Sequence, residues 1–225
     1  MTFDAYLEQF IEGYLLEDLN SMAPISLAEV KRYGAVGYPM VMTVLSGVEL
    51  LGVLTSRATF TPANGAARFG EYWRNYMYPA RPAAQRLDSL MYDFIRHGLA
   101  HLFMTKPMIR VTKYRDPGHL HRSPKSDVIC VDALILADEF AEAYWSRLRP
   151  NVTGSLRANM EARFTEIRQA HWQERQEKMH EVAKVPLRIA AFDDAALRPT
   201  KINSPSVPPL YSTNVSTTDF DDPNS

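Results

Sequence analysis

The segment from Ala83 to Phe103, with the sequence AAQRLDSLMYDFIRHGLAHLF, contains the clearest helical pattern of the chain. Its apolar side chains recur every three or four residues, which places them on one face of an α-helix. These apolar residues are Leu87, Leu90, Met91, Phe94, Ile95 and Leu99. A helix with one apolar face is stabilised mainly by packing, so the segment predicts a helical core around it.

Helical patterns also occur on both sides of this segment, and they make the predicted fold mainly α. The other predicted helices cover about residues 3–19, 24–33, 39–55, 68–78, 133–148 and 155–182. Residues 59–67 contain Pro62, Asn64 and Gly65, which predict a loop. The residues from 191 onward are rich in Pro, Ser, Thr and Asn, a composition that predicts a disordered tail.

One region departs from the helical pattern. Residues 108–114 alternate apolar and basic side chains, and residues 128–131 are largely β-branched. Asp116, Pro117 and Gly118 lie between them, and such turn residues favour a β-hairpin. We therefore expect a hairpin at about 107–132, inserted in a helical bundle that spans 1–150. A helical extension over 151–190 and the disordered tail over 191–225 complete the predicted organisation.

The composition excludes several classes of protein. Lys and Arg together number 25 and Asp and Glu 26, so the net charge of −1 gives no global field for a nucleic acid or a membrane. A single cysteine, Cys130, excludes a disulfide framework. The first ten residues are acidic and do not resemble a secretory signal. The apolar stretch 35–56 contains Glu49, which is unfavourable in lipid, so we expect a cytoplasmic protein with no membrane partner.

Arg96, His97 and His101 form the group with the clearest chemistry. His97 and His101 are four residues apart and share one helix face. An imidazole can transfer a proton at neutral pH, and a guanidinium can stabilise the charge that gathers on phosphorus during phosphodiester cleavage. Four residues lie between Arg96 and His101. Similar spacings occur from Arg115 to His121, with five intervening residues, and from Arg175 to His180, with four, but the first crosses a turn and the second lies on a highly charged helix half.

This arrangement resembles the motif of the HEPN superfamily, in which an arginine precedes a histidine by four to six intervening residues. Phe103 stands where many members have a tyrosine. The resemblance implies a HEPN-like antiparallel helical bundle, here with the inserted β-hairpin and the disordered C-terminal tail. It also implies a homodimer with a composite site at the motif helices. The implied activity is that of an endoribonuclease that uses no metal or other cofactor and leaves a 2′,3′-cyclic phosphate.

The resemblance also assigns roles to residues. His101 would be the general acid and base, Arg96 would stabilise the transition state, and His97 would orient the other groups. Glu49 and Ser46 are expected to line the same cavity, although Glu49 also fits a structural ion pair. Four cations after the helix are expected to contact RNA, or else to protect a strand edge from association. These are Lys106, Arg110, Lys113 and Arg115.

RNA is therefore the expected substrate, with an antitoxin or a defence-system component as a further partner in a toxin or phage-defence system. The alternative function is a non-catalytic HEPN-like module that binds RNA or a nucleotide, or that dimerises as a scaffold. A third hypothesis is a small metal protein that uses His119, His121 and Cys130 as ligands.

Overall fold

The computed structural model describes residues 1–26, 36–96, 109–123 and 127–183, and within them the chain is mainly helical with a small sheet. Helix α1 comprises Phe3–Tyr6, Leu7–Leu16 and Glu17–Met22, α2 is Gly37–Thr55, α3 comprises Gly65–Tyr72 and Trp73–Met77, and α4 is Pro82–Gln85. Helix α5 comprises Asp88–Leu90 and Met91–Arg96, α6 comprises Ala133–Glu142 and Ala143–Leu148, and α7 is Gly154–Ala183. Short 3-10 turns cover Pro62–Asn64 and Arg149–Asn151, and the strands are β1, Ile109–Thr112, and β2, Ile129–Asp132.

Helix α2 lies at the centre of the core and packs against α3 and α6. Two glycines allow these neighbours to approach closely. A Cβ on Gly52 would lie 2.4 Å from the carbonyl oxygen of Arg68, and a Cβ on Gly47 would lie 2.6 Å from the ring of Phe140. Because no larger residue fits at these points, the sequence pattern of α2 is set by helix contact as well as by apolarity.

Most of the predicted helices are confirmed, and their apolar faces are buried. Helix α2 is long and apolar enough to cross a membrane, but 61% of its most apolar window is buried inside the fold, as in the core helix of a soluble protein. The predicted second helix is not helical at Pro24–Ser26, and its remaining residues lie outside the described part.

The predicted helix over 83–103 is interrupted at Arg86 and Leu87, where the chain makes a turn between α4 and α5. The carbonyl of Ala84 accepts a hydrogen bond of 2.9 Å from the indole nitrogen of Trp73, and the backbone N–H of Leu87 also donates to it. A tertiary contact thus occupies the carbonyl that would continue the helix. The part of the prediction beyond residue 96 lies outside the described residues.

The predicted hairpin is wrong in its strand direction. Strands β1 and β2 pair in parallel, with Ile109 opposite Ile129 and Thr112 opposite Asp132. Parallel neighbours need a crossover between them, and here residues 113–128 provide it. Part of this crossover lies along the other edge of β2, where His119 forms a parallel bridge with Cys130 and Arg122 an antiparallel bridge with Ile129.

The chain divides into two units, Met1–Lys178 and Met179–Ser225. In the first unit, Met160 and Phe164 of α7 are buried in the same apolar cluster as α1 and α2. Most of the second unit, including the predicted tail over 191–225, lies outside the described residues.

Candidate functional site

Helix α5 carries the first residue of the Arg-His motif. Met91 is fully buried, and the ring of Tyr92 packs on Phe69 of α3 with a centroid distance of 5.3 Å. Arg96 is described by its helical backbone alone, and His97 and His101 lie outside the described residues. Arg96 follows Tyr92 by four positions, which is about one turn along the same helix face.

Glu49 is brought next to this helix, as the hypothesis of a shared site requires. A Cβ on Gly65 would lie 2.6 Å from the hydroxyl oxygen of Tyr92 and 3.2 Å from Oε1 of Glu49, so both polar atoms lie beside the same glycine. Glu49 is half-buried, and Ser46 lies three residues earlier on α2, also half-buried. The carboxylate therefore lies near the tip of a side chain of α5 that precedes Arg96 by four positions.

The predicted RNA-contacting cations are engaged within the protein. Arg110 donates to Asp116 over 3.2 Å, and Arg115 donates to Asp138 over 2.5 Å. Lys113 donates to the carbonyl oxygens of Ala23 and Ile25 over 2.8 and 2.5 Å, which fixes the end of α1 to the crossover. Lys106 lies outside the described residues. Arg110 and Arg115 remain exposed in part, whereas Lys113 has a clear structural role.

Asp132 is the centre of a buried polar network that the sequence analysis did not identify. The residue is fully buried, and its Oδ1 accepts hydrogen bonds from the backbone N–H groups of Leu134 and Ile135, which caps α6. Its Oδ2 accepts from the Thr112 hydroxyl and from the backbone N–H groups of Tyr114 and Asp116. Burial alone would raise the pKa of Asp132, but these donors outweigh it and lower the pKa.

His119 extends the network towards α6. Its Nδ1 accepts from the backbone N–H of Asp132 over 2.9 Å, so Nε2 carries the proton and donates to Oε2 of Glu139 over 3.1 Å. Tyr78 and Arg81 also donate to Glu139. Burial alone would raise the pKa of Glu139, but the hydrogen bonds from His119 and Tyr78 and the contact with Arg81 hold it below its ordinary value.

Asp116 and Cys130 form the second part of the same network. The carboxylate of Asp116 accepts from the Tyr114 hydroxyl, the Gly118 backbone N–H and the Cys130 thiol, over 2.7, 2.8 and 3.2 Å. These donors lower the pKa of Asp116 to about 2. Burial raises the pKa of the Cys130 thiol, which therefore stays protonated near neutral pH.

This geometry disfavours the hypothesis of a metal site at His119, His121 and Cys130. Both ring nitrogens of His119 have protein partners, and the Cys130 thiol donates to Asp116. Within the described ranges there is no group of three or more His, Cys, Asp and Glu side chains that could hold a metal ion. The network instead joins β1, β2, the crossover and α6 through hydrogen bonds.

A helix pattern or a short motif could not reveal this network. Its local sequence signals are Asp132 directly before α6, since aspartate is a favoured N-cap residue, and the turn residues Asp116 and Gly118. The other contacts join residues that are up to 61 positions apart, such as Tyr78 and Glu139.

Comparison of the chain with protein-family models, with curated proteins and with solved structures finds no match in any of the three. Fold and function therefore rest on the residues, their contacts and their chemistry.

Proposed function

We propose that the protein is a metal-independent endoribonuclease of the HEPN type. The observation that carries the proposal is the sequence series Arg96, His97 and His101, whose first residue ends the described part of a helix that packs on the core close to Glu49. A half-buried carboxylate close to an Arg-His motif supports proton-transfer chemistry on a phosphodiester, because it can orient an imidazole or a guanidinium.

The proposed reaction is an internal transesterification. His101 takes the proton of the ribose 2′-hydroxyl, and the 2′-oxygen attacks phosphorus while the bond to the 5′-oxygen breaks. The protonated His101 returns this proton to the leaving 5′-oxygen, so the products are a 2′,3′-cyclic phosphate and a 5′-hydroxyl, and the imidazole is neutral again. Arg96 stabilises the negative charge on the phosphoryl oxygens during this step, and His97 orients the groups.

Glu49 serves as a positioning residue in this scheme. The position of its carboxylate close to the Tyr92 hydroxyl supports a role in holding a cation or an imidazole of the motif in one orientation. Ser46, on the same helix and one turn earlier, belongs to the same region. The complete site is proposed to form between the motif helices of two copies in a cytoplasmic homodimer. An antitoxin or a defence-system component is the proposed further partner.

A cleavage assay on mixed tRNA and mRNA in excess EDTA tests the proposal. Wild type is expected to cleave RNA, whereas His101→Ala and Arg96→Ala lose at least 100-fold in rate, the usual contribution of a general acid-base group or of an oxyanion donor. His180→Ala is the matched control, because His180 also follows an arginine by five positions but is exposed on α7. It should keep the wild-type rate.

Three results would contradict the proposal. One is cleavage that needs a divalent metal, and another is cleavage that survives both motif substitutions. The third is the absence of cleavage by folded wild-type dimer. That last result would favour the non-catalytic module, in which the same helices bind RNA or hold two copies together.

A further inference from the structure

The outer half of α7 separates its charges onto two sides. Successive residues of an α-helix are rotated by about 100° around its axis, so five residues of α7 share an arc of roughly 120°. These are Arg168, His171, Trp172, Arg175 and Lys178. We call these five residues the basic–aromatic face. Glu166, Glu174 and Glu177 fall outside that arc. A helix that is neutral in total charge therefore presents a cationic surface on one side.

Two arginines of this face form cation–π contacts with aromatic rings of α7. The guanidinium carbon of Arg175 lies 5.5 Å from the centroid of the Trp172 ring, and that of Arg168 lies 5.4 Å from the ring of Phe164. Arg168 also donates to the Met1 carbonyl oxygen, and Lys178 pairs with Glu174. Trp172 is nevertheless 57% exposed. An open concavity of about 450 Å³ follows the face, lined by Thr165, Arg168, Gln169, His171, Trp172 and Arg175.

A row of rings continues the surface onto α1. Phe164 contacts Tyr6 at a centroid distance of 4.7 Å, Tyr6 stacks on Phe10 at 5.3 Å, and Phe10 contacts Tyr14 at 5.4 Å. Phe10 is 40% exposed and Tyr14 is 55% exposed. The contacts at Phe164–Tyr6 and Phe10–Tyr14 are tilted and Phe164 is buried, so Phe10 and Tyr14 are the rings of this row that a base could reach.

We propose that the basic–aromatic face and the adjoining ring row bind single-stranded RNA. Arginine and lysine attract the phosphates, and exposed aromatic rings stack on unpaired bases without reading their sequence. The choice of RNA as the ligand rests on the proposed function. The surface itself lies on elements other than the motif helix, so its role is substrate capture, not cleavage.

The charges of the face argue against a second copy of the chain as its occupant. A symmetric dimer would place the same surface on both sides of the contact and bring Arg168 and Arg175 towards the same cations of the partner. The arc between residues 168 and 178 also contains no Leu, Ile or Val, which a helix pair would bury. A polyanion with planar bases can pair with the positive charges of the face and can also stack on its exposed rings.

The test uses the wild-type chain and a fluorescent 2′-O-methyl oligouridylate, which has no free 2′-hydroxyl and cannot be cleaved by the proposed reaction. Fluorescence anisotropy should show binding, and Trp172→Ala should weaken it about tenfold. Trp145→Ala is the matched control, since Trp145 is 48% exposed but lies on α6. It should leave the affinity unchanged. Tyr14→Ala should weaken the binding of a long oligomer more than that of a short one.

Salt dependence tests the electrostatic part. In the double variant Arg168→Ala/Arg175→Ala, the magnitude of the slope of log affinity against log salt concentration should fall by about 1.4. The reason is that each phosphate contact with a single strand contributes about 0.7 to this slope. Arg57→Ala with Arg122→Ala removes two other exposed arginines and should leave the slope unchanged.

The inference is overturned if the oligomer does not bind or if Trp172→Ala binds it as tightly as wild type. It is also overturned if Trp172→Ala separates a dimer, measured by light scattering, while the RNA affinity stays the same. The probe cannot be cleaved. Binding that depends on Trp172 would therefore support the proposal that the basic–aromatic face binds RNA, even if the cleavage assay showed no activity.

Discussion

Two charged regions of the molecule differ in how their charges are used. Around Asp132, carboxylates, a histidine and a thiol are buried and have hydrogen-bond partners inside the protein. On the outer half of α7, Arg175 and Trp172 contact each other but stay exposed. The cations of α7 have internal contacts too, but their side chains stay exposed, so the comparison shows that exposure, and not the lack of an internal partner, leaves a cation accessible to a ligand. Substitutions in the first region should therefore change stability, and substitutions in the second should change binding.

The largest expected effect follows the loss of Asp132. Asp132→Ala removes the acceptor of four backbone N–H groups, those of Leu134, Ile135, Tyr114 and Asp116, and leaves buried donors without a partner. We expect the free energy of unfolding to fall by about 4 kcal/mol, from an N-cap and several unsatisfied buried groups. Urea unfolding measures it.

Asp132→Asn is the control for this change, because it keeps the size and one acceptor oxygen. It should lose clearly less stability than Asp132→Ala. Equal stability of wild type and Asp132→Ala would show that the network contributes nothing and would remove the contrast between the two regions.

The second prediction concerns the stability of the folded protein at low pH. Asp116 titrates at about 2 in the folded protein, against about 3.9 when unfolded. Its contribution to stability is thus fully present above the unfolded value and is lost as the pH falls through about 2. The lowered pKa values of Asp132 and Glu139 act in the same direction. The urea midpoint should therefore fall steeply below about pH 4.

Asp116→Asn should make this decline shallower, since it removes one titrating group of the network. A midpoint that rises on acidification, or a variant with the same pH profile as wild type, would contradict the assigned hydrogen bonds.

The third prediction tests the link between α5 and the proposed site. Gly65 has ordinary helical backbone angles, so Gly65→Ala would normally stabilise the chain. Here the new Cβ would lie 2.6 Å from the Tyr92 hydroxyl, so we expect a loss of about 1–2 kcal/mol in stability and a lower cleavage rate.

A second substitution tests whether the loss of stability comes from the contact with the Tyr92 hydroxyl or from another effect of the new methyl group. Tyr92→Phe removes the hydroxyl oxygen and gives the methyl group room, so the double variant should regain stability relative to Gly65→Ala alone. If the double variant is no more stable than Gly65→Ala, the contact at Tyr92 is not the cause.

The smallest effect is expected at Lys113. Lys113→Ala removes two hydrogen bonds to backbone carbonyls near the end of α1 and should cost about 1 kcal/mol of stability. The affinity of the Lys113→Ala variant for the 2′-O-methyl oligouridylate should stay within twofold of the wild-type affinity. A large loss of affinity would instead restore Lys113 to the RNA-contacting set and break the comparison.

The sequence predicted the helices well because their signal is local. The apolar period locates α6 and α7 within about one residue of their observed ends, and it identifies α2 as a core helix. The alternation at Ile109 and Val111 identified a strand. It could not give the strand direction, because the parallel pairing depends on a crossover whose contacts reach Asp132 and Glu139.

Of the candidate site, the sequence singled out Glu49 as a carboxylate in an apolar helix, and the structure places it close to Tyr92 of α5. Its role beside His97 and His101 stays a prediction, because those residues lie outside the described part. The partners of Lys113 and Arg115 could not be foreseen, since Ala23 and Asp138 are distant in the sequence. The same holds for the turn at Arg86, which depends on the Trp73 indole.

The chemical end left on RNA tests the central claim most directly. In excess EDTA, the wild-type protein should produce fragments that end in a 2′,3′-cyclic phosphate and begin with a 5′-hydroxyl, and His101→Ala should produce none. Fragments that end in a free 3′-hydroxyl, or that form only when a divalent metal is added, would contradict the proposed reaction.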